Sequence, residues 1–130
     1  MIIAGLVLAG IAALIHVYIF YMESIAWTSA AARKTFGATE DEAAAPATKA
    51  LAFNQGFYNL FLAVAVILGI IFFAIGQDSI ALTLIFTGAG SMVGAALVLI
   101  LSSPDKAAAA LKQGVVPALG VVMLAIGVAI

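Results

Sequence analysis

Residues 2–22 read IIAGLVLAGIAALIHVYIFYM, a stretch without Asp, Glu, Lys or Arg. A helix needs about 20 predominantly apolar residues to cross the hydrocarbon core of a bilayer, so this stretch predicts a membrane-spanning helix. Three more apolar stretches follow it along the chain. We therefore predict an all-α fold, a four-helix transmembrane bundle, in a single integral membrane domain over residues 1–130. The predicted spans are residues 2–27, 50–76, 80–101 and 107–130.

The composition of the chain agrees with a membrane protein. Hydrophobic residues make up 66% of it and charged residues 8%, and the mean hydropathy is +1.29. Soluble proteins average about 45–50% apolar and about 25% charged residues. The net charge of -1 offers no basic surface to a nucleic acid. Because there is no Cys, disulfides, thiolate metal sites and cysteine nucleophiles are excluded. We expect no cofactor and no metal.

The positive charges predict the orientation of the bundle. All Lys and Arg residues fall on one side of it, in or beside the first and third connections: Arg33, Lys34, Lys49, Lys106 and Lys112. The second connection, Gly76-Gln77-Asp78-Ser79, is a predicted tight turn without a basic residue. Connections rich in Lys and Arg stay in the cytoplasm. Both termini are therefore expected on the non-cytoplasmic side of the cell inner (plasma) membrane.

The first connection has room for local structure of its own. Thr39 and Glu42 have the spacing of a capping box, in which a Thr side chain and a Glu side chain three residues later cap the start of a helix. The pattern predicts a short helix at the membrane surface. An Ala-rich solvated loop is the alternative.

Several polar side chains interrupt the apolar spans near their cytoplasmic ends. Helical spacing places His16 and Glu23 on one face of the first span, and Gln55 and Asn59 on one face of the second. Polar groups are costly in hydrocarbon, so they are expected to face protein or water. We predict a ligand pocket open to the cytoplasm, lined by His16, Glu23, Asn54, Gln55, Tyr58, Asn59, Lys112 and Gln113.

Each of these residues also has a purely structural interpretation. Glu23 and Lys112 lie near enough to the membrane surface to extend their charged groups into water. The amides of the second span can bond one helix to another. His16 can be a hydrogen-bonded core histidine, although its titration near neutral pH also suits a functional role. A shared pocket predicts that Glu23→Gln shifts the titration of His16.

The third and fourth spans contain residues that affect helix packing. Gly90 and Gly94 form a G-x-x-x-G pattern, which predicts a close helix contact within the protomer or across a dimer. Pro117 predicts a kink in the fourth span beside the proposed pocket.

The polar segments resemble one known family. These segments are HVYIF at residues 16–20, followed by Glu23 and Trp27, then NQGFYNLFLA at residues 54–63 and KQG at residues 112–114. Together they are similar to the bacterial family catalogued as domain-of-unknown-function family 1304, over nearly the whole chain. The resemblance implies a small four-span integral membrane protein, and it brings no established activity.

Two classes of function fit these observations best. The first is a small transporter or channel-type protein whose pocket binds a small polar or cationic solute, with Glu23 and His16 carrying charge or protons. The second is a non-transporting accessory subunit of a membrane complex. A membrane enzyme acting on a lipid or quinone is less favoured, because no nucleophilic triad, phosphate-binding loop or paired-carboxylate motif is present and no residue is predicted to be catalytic. The expected partners are the bilayer, a second copy or a larger complex, and the solute.

Overall fold

The computed structural model describes all 130 residues, and it contains helices and turns but no strand. The elements are α1 (Ile2–Phe20), a π-helical turn (Tyr21–Ile25), α2 (Ala30–Phe36), α3 (Glu40–Ala44), α4 (Pro46–Ala74), α5 (Asp78–Ser102), a 3₁₀ turn (Pro104–Lys106) and α6 (Ala107–Ala129). The predicted all-α fold is confirmed.

Four helices are long and apolar enough to cross a membrane: α1 with its π-helical turn, α4, α5, and α6 with the 3₁₀ turn before it. They form a ring in which α1 packs against α4 and α6, and α5 packs against the same two helices. Large apolar side chains cover the outside of the ring, among them Ile3, Leu14 and Val98, each more than 60% exposed. Such an apolar surface suits lipid, and the four-helix membrane bundle is confirmed.

Small residues allow the four helices to approach closely. Alanines with no exposed surface, including Ala9, Ala12 and Ala63, line the centre of the bundle. A Cβ atom placed on Gly5 would lie 2.7 Å from the backbone nitrogen of Leu124, so α1 and α6 meet backbone to backbone. Membrane helices lack a hydrophobic driving force between them and depend on such close packing.

Gly90 and Gly94 do not take part in this packing. Apart from the adjacent backbone of α5 itself, no atom of the chain lies within 4 Å of a Cβ atom built on either residue, so no other helix of the protomer makes a close contact at this pair. The α5 glycine that meets another helix is Gly88, where a Cβ would lie 3.0 Å from the carbonyl oxygen of Leu62 on α4. Gly88 and Gly90 are two residues apart and therefore face different directions on a helix. A contact across a dimer stays a prediction.

The predicted tight turn between α4 and α5 is confirmed. Gly76 has a φ of 78°, a left-handed conformation that glycine adopts without steric cost. The Gly76 N–H donates to the carbonyl of Phe73, and the Gln77 N–H donates to that of Phe72. This pair of bonds is the Schellman arrangement that ends a helix, so α5 can start immediately afterwards.

The first connection is more ordered than a loop. The Thr39 hydroxyl accepts from the Glu42 N–H, and the Glu42 carboxylate accepts from the Thr39 N–H, which confirms the capping box and the short helix α3. The preceding helix α2 was not predicted. It is capped by the Ser29 hydroxyl at its start and by Gly37, with a φ of 68°, at its end. The α4 helix begins at Pro46, a residue suited to a first helical turn.

The first connection, which contains α2 and α3 and is called the α2–α3 connection below, lies at the same end of the bundle as the 3₁₀ turn, because residues from both line one cavity. All five Lys and Arg residues are in these segments or in the adjoining turns of α4 and α6. We call this the Lys/Arg end of the bundle. The opposite end carries Met1, Ile130 and the α4–α5 turn.

Candidate ligand cavity

A cavity of about 980 Å³ lies inside the bundle at the Lys/Arg end. Its walls come from α1, α4 and α6, with a small contribution from α5, and residues of α2, α3 and the turn between them line part of its mouth. Ligand pockets typically measure about 300–1,000 Å³, so this volume suits a molecule much larger than a single ion. Of the 22 lining residues 11 are hydrophobic, which makes the cavity amphipathic.

The cavity ends where the four helices pack tightly. Leu6, Ala13, Val66, Met92 and Leu124 belong to one buried cluster that fills the bundle beyond it. None of these five residues lines the cavity. The cavity is therefore open toward the Lys/Arg end and closed toward the end that carries the termini.

The π-helical turn presents Glu23 to the cavity. In this turn the Ala26 N–H donates to the carbonyl of Tyr21, five residues earlier, at 2.9 Å. Glu23 is 9% exposed, and its Oε2 accepts a 2.8 Å hydrogen bond from Nδ2 of Asn59 on α4. Turns of this type are frequent at functional sites because they change the direction of a side chain locally.

Two further contacts hold the π-helical turn against α4. The Ser24 hydroxyl donates to the carbonyl of Phe53 at 2.8 Å. A Cβ atom on Gly56 would collide with the Ser24 hydroxyl and lie 3.1 Å from the carbonyl oxygen of Phe20. Only glycine leaves space for this approach, which explains why Gly56 stands between Gln55 and Asn59.

The structure brings five of the eight residues predicted for the pocket to the cavity wall: Glu23, Gln55, Asn59, Lys112 and Gln113. Asn54 and Tyr58 lie elsewhere. The Asn54 side chain donates to the carbonyl of Ala50 on its own helix, at 3.0 Å. Tyr58 is 65% exposed on the outer surface of the bundle. Both residues share a helix with Gln55 and Asn59, but they point away from α1 and α6.

His16 is also absent from the cavity wall. It is 2% exposed, and its Nδ1 lies 2.9 Å from the carbonyl oxygen of Ala12, one turn earlier on α1. This is the arrangement of a hydrogen-bonded core histidine. His16 and Glu23 have separate hydrogen-bond partners, so the structure provides no direct contact between the two groups.

The mouth of the cavity contains residues that sequence analysis did not select. Trp27 and Phe36 line it, with their ring centroids 5.6 Å apart. Ile19 and Met22 pack in one cluster with Ala32 of α2. Trp27 Nε1 is buried without a hydrogen-bond acceptor. The order of residues along the chain gives no signal for this group, because it depends on α2 folding back onto α1.

Two residues of opposite charge, Glu42 and Lys106, line the mouth of the cavity. Hydrogen bonds from the backbone N–H and the hydroxyl of Thr39 lower the pKa of Glu42, and the positive charge of Lys106 lowers it further. Glu42 therefore stays ionised near neutral pH. Glu42 on α3 and Lys106 next to α6 both line the mouth of the cavity.

The match to a known family covers every wall of this cavity. A family model described as "Protein of unknown function (DUF1304)" matches residues 10–125. The chain belongs to this family. The matched residues include the π-helical turn, Gly56, Asn59 and the first half of α6. No curated protein and no solved structure matches the chain.

The chemistry of the cavity is that of hydrogen bonding and charge. No group of three or more His, Asp or Glu side chains is placed to hold a metal ion. The polar groups of the wall include carboxylates, ammonium groups and amides: Glu23, Glu42, Asp105, Lys106, Lys112, Gln55, Asn59 and Gln113. These groups can bind and orient a polar or charged molecule.

Proposed function

We propose that this DUF1304 protein is a small membrane transporter that binds a polar or cationic solute in the cavity at its Lys/Arg end. The observation that carries the proposal is a cavity open to one end of a membrane bundle, with a buried carboxylate in its wall. Under the rule that Lys and Arg remain in the cytoplasm, the open end faces the cytoplasm of a bacterial inner membrane.

The closed half of the bundle supports a transporter in preference to an open channel. A channel needs a continuous path, whereas Leu6, Val66 and Leu124 fill the bundle beyond the cavity. A transporter exposes its site to one side at a time, so a one-sided cavity is compatible with its inward-open state. Glu23 is the proposed attachment point for a cation, because Asn59 bonds only one of its two oxygens.

A non-transporting accessory subunit is the second candidate. The hydrogen bonds from Asn59 to Glu23 and from Ser24 to Phe53 join α1 to α4, which favours a structural role for these polar groups. In that case the same residues stabilise the bundle, and the cavity receives a side chain of a larger partner.

Uptake by reconstituted protein separates the two candidates. Radiolabelled ethanolamine and choline are offered to liposomes containing the wild type, Glu23→Gln or the matched control Asp78→Asn, which changes an exposed carboxylate at the opposite end of the bundle. We expect uptake by the wild type and by Asp78→Asn, and a large reduction with Glu23→Gln. Absence of uptake in all three, together with a stoichiometric larger protein that co-purifies with the chain, would favour the accessory subunit.

A further inference from the structure

We propose that the ligand of this cavity is the head group of a membrane phospholipid with a primary ammonium group, which enters sideways from the bilayer between α1 and α6. The inference names the ligand class of the same site and rests on the proposed binding function. It adds two assignments: Lys112 binds the lipid phosphate, and Glu23 binds the ammonium group.

The register between α1 and α6 shows which residues lie level with each other. A Cβ atom on Gly120 would lie 3.1 Å from the backbone nitrogen of Ala9. A Cβ atom on Gly127 would lie 2.7 Å from the backbone nitrogen of Ile2. The two helices therefore run antiparallel in constant register. Continued toward the Lys/Arg end, this register places Lys112 about level with Val17.

The two helices separate beyond this tightly packed half. Ile15 and Ile19 of α1 and Gln113 of α6 line the cavity, which therefore lies between the helices at this level. Pro117 has no N–H to donate to the carbonyl of Gln113, and its ring disfavours a straight helix. A Cβ atom on Gly114 would collide with Ala96, so this part of α6 packs directly against α5.

The proposed entry route joins the cavity to the lipid-facing surface between α1 and α6. Tyr18 on α1 lines the cavity and is also 56% exposed. Lys112 on α6, about level with it, lines the cavity and is exposed as well. In the proposal, Tyr18 and Lys112 form the two edges of the lateral opening.

The depth of this opening matches that of lipid head groups. The helical rise of about 1.5 Å per residue places Lys112 about 27 Å from Ile130 along α6. The hydrocarbon core is about 30 Å thick, so Lys112 lies close to its boundary, where the lipid phosphates begin. Basic residues between membrane helices at this depth bind lipid head groups. Leu14 on α1 and Leu111 on α6 are exposed apolar side chains on the outside of the bundle, a surface suited to acyl chains.

Glu23 is placed to receive the other end of the head group. Along the bundle axis Glu23 lies about 9 Å nearer the mouth than Lys112, because six residues of helical rise separate it from Val17, which is level with Lys112. Side chains tilt toward the N-terminus of their helix, so Glu23 leans into the bundle and Lys112 leans toward the mouth. The two groups therefore approach each other along the bundle axis. Glu23 Oε1 receives no hydrogen bond from the chain, which leaves it available to an ammonium donor.

The other charged residues of the cavity wall lie in the connections at its mouth: Glu42, Asp105 and Lys106. Glu23 in the π-helical turn and Lys112 in α6 are the carboxylate and the ammonium group that the proposal assigns to the ligand, and together they complement a zwitterion. A primary ammonium group donates hydrogen bonds to Glu23, whereas the trimethylammonium group of a choline lipid carries charge without such donors.

Lipid binding to the purified full chain in detergent micelles tests the inference. The fluorescence of Trp27, the only Trp in the chain and a residue of the cavity wall, reports occupancy. The probes are dioleoyl phosphatidylethanolamine, phosphatidylcholine and phosphatidylglycerol, and the water-soluble glycerophosphoethanolamine. The variants are Lys112→Met, Glu23→Gln and the control Lys34→Met, which removes an exposed charge outside the cavity. Native mass spectrometry counts the bound lipids.

We expect phosphatidylethanolamine to bind most tightly to the wild type and to Lys34→Met. Lys112→Met should weaken the binding of all three lipids by about fivefold or more. Glu23→Gln should remove the preference for phosphatidylethanolamine and leave phosphatidylglycerol binding unchanged. The inference would be overturned if the wild type bound the three lipids with equal affinity. It would also be overturned if the Lys112→Met variant bound the lipids as tightly as the Lys34→Met control. Glycerophosphoethanolamine that binds as tightly as the lipid would overturn lateral entry while leaving the proposed solute-binding function intact.

Discussion

Glu23 and Asn59 form the polar contact on which the cavity depends. The Asn59 amide donates both to the Glu23 carboxylate at 2.8 Å and to the carbonyl of Gln55 at 3.2 Å. Asn59 is 8% exposed, so water gives little compensation when its partner is removed. The amide therefore orients one carboxylate oxygen and leaves the other for a ligand.

Replacing Asn59 by Leu should destabilise the bundle by about 0.6–1.7 kcal/mol, because interhelical hydrogen bonds in membrane proteins contribute about this much. The matched control is Asn54→Leu on the same helix, which removes an exposed side chain bonded only to its own helix. Denaturation in mixed micelles measures both changes. Equal losses of stability in the two variants would show that the Asn59–Glu23 bond contributes nothing specific.

Glu42 allows a test of the capping box in solution. Hydrogen bonds from Thr39 lower the pKa of Glu42. The ionised carboxylate therefore stabilises the fold at pH values above its ordinary pKa, and this stabilisation is lost as the pH falls through the lower pKa of the folded state. Thr39→Val removes the hydroxyl and should raise the pKa of Glu42. Thr35→Val, which removes a hydroxyl bonded within α2, should leave it unchanged. Carboxyl NMR titration measures both, and an unshifted Glu42 in Thr39→Val would contradict the capping geometry.

Whole helices meet through particular glycines. Of the two contacts predicted for Gly90 and Gly94, the one within the protomer is absent and the one across a dimer stays a prediction. The G-x-x-x-G pattern at Gly90 and Gly94 is visible in the sequence, but nothing in it shows which face of α5 meets α4. That face is set by the ring arrangement of the four helices. It contains Gly88, opposite Leu62 and Val66.

Leu substitutions should distinguish the glycines at the α4–α5 contact, Gly69 on α4 and Gly88 on α5, from Gly90 and Gly94 on another face of α5. A Cβ on Gly69 would lie 2.9 Å from the carbonyl oxygen of Ala81, so Gly69→Leu and Gly88→Leu should each cost about 1–3 kcal/mol through overpacking. Gly90→Leu and Gly94→Leu meet no atom of the chain and should change protomer stability by less than about 0.5 kcal/mol.

Thermal unfolding and size-exclusion chromatography measure these variants together. If the Gly90→Leu variant lost as much thermal stability as the Gly69→Leu variant, the described packing would be contradicted. An oligomer that dissociates in Gly94→Leu at unchanged protomer stability would place a second copy on the Gly90–Gly94 face.

The elements differ in how far the sequence determines them. The four long helices follow from apolar length alone, and Thr39 with Glu42 predicts α3. Ser29 and Gly37 are recognisable cap residues for α2, but its short length and mixed composition gave no periodic pattern. The π-helical turn has no sequence signature, because it forms where Glu23 and Ser24 bond to α4.

The bundle as a whole explains why the pocket was predicted only in part. Helical spacing grouped Gln55 with Asn59, and the depth along the fourth span grouped Lys112 with Gln113; all four line the cavity. It also grouped His16 with Glu23, although the π-helical turn changes the angle between them. Spacing shows which residues share a face, whereas the position of the neighbouring helices decides whether that face lines a cavity. Asn54 and Tyr58 were included for the same reason.

The asymmetry of Lys and Arg predicts the orientation of the whole molecule. The chain has no Cys, so single cysteines at Ser79 and Thr39 give specific labelling sites at opposite ends of the bundle. We expect an impermeant maleimide to label position 79 in intact cells and position 39 only after permeabilisation. The reverse pattern would invert the topology and turn the cavity toward the outside.

Photo-cross-linking in native membranes tests most directly whether a ligand occupies the cavity beside Glu23. A benzophenone amino acid replaces Gln55 in the cavity wall or, as a control, Leu119 on the lipid-facing side of α6. Mass spectrometry identifies the adducts formed at each position, with and without Glu23→Gln. We predict a discrete adduct at position 55 that Glu23→Gln abolishes, and mixed lipid adducts at position 119 that it leaves unchanged. The same adducts at both positions, independent of Glu23, would contradict a ligand site in this cavity.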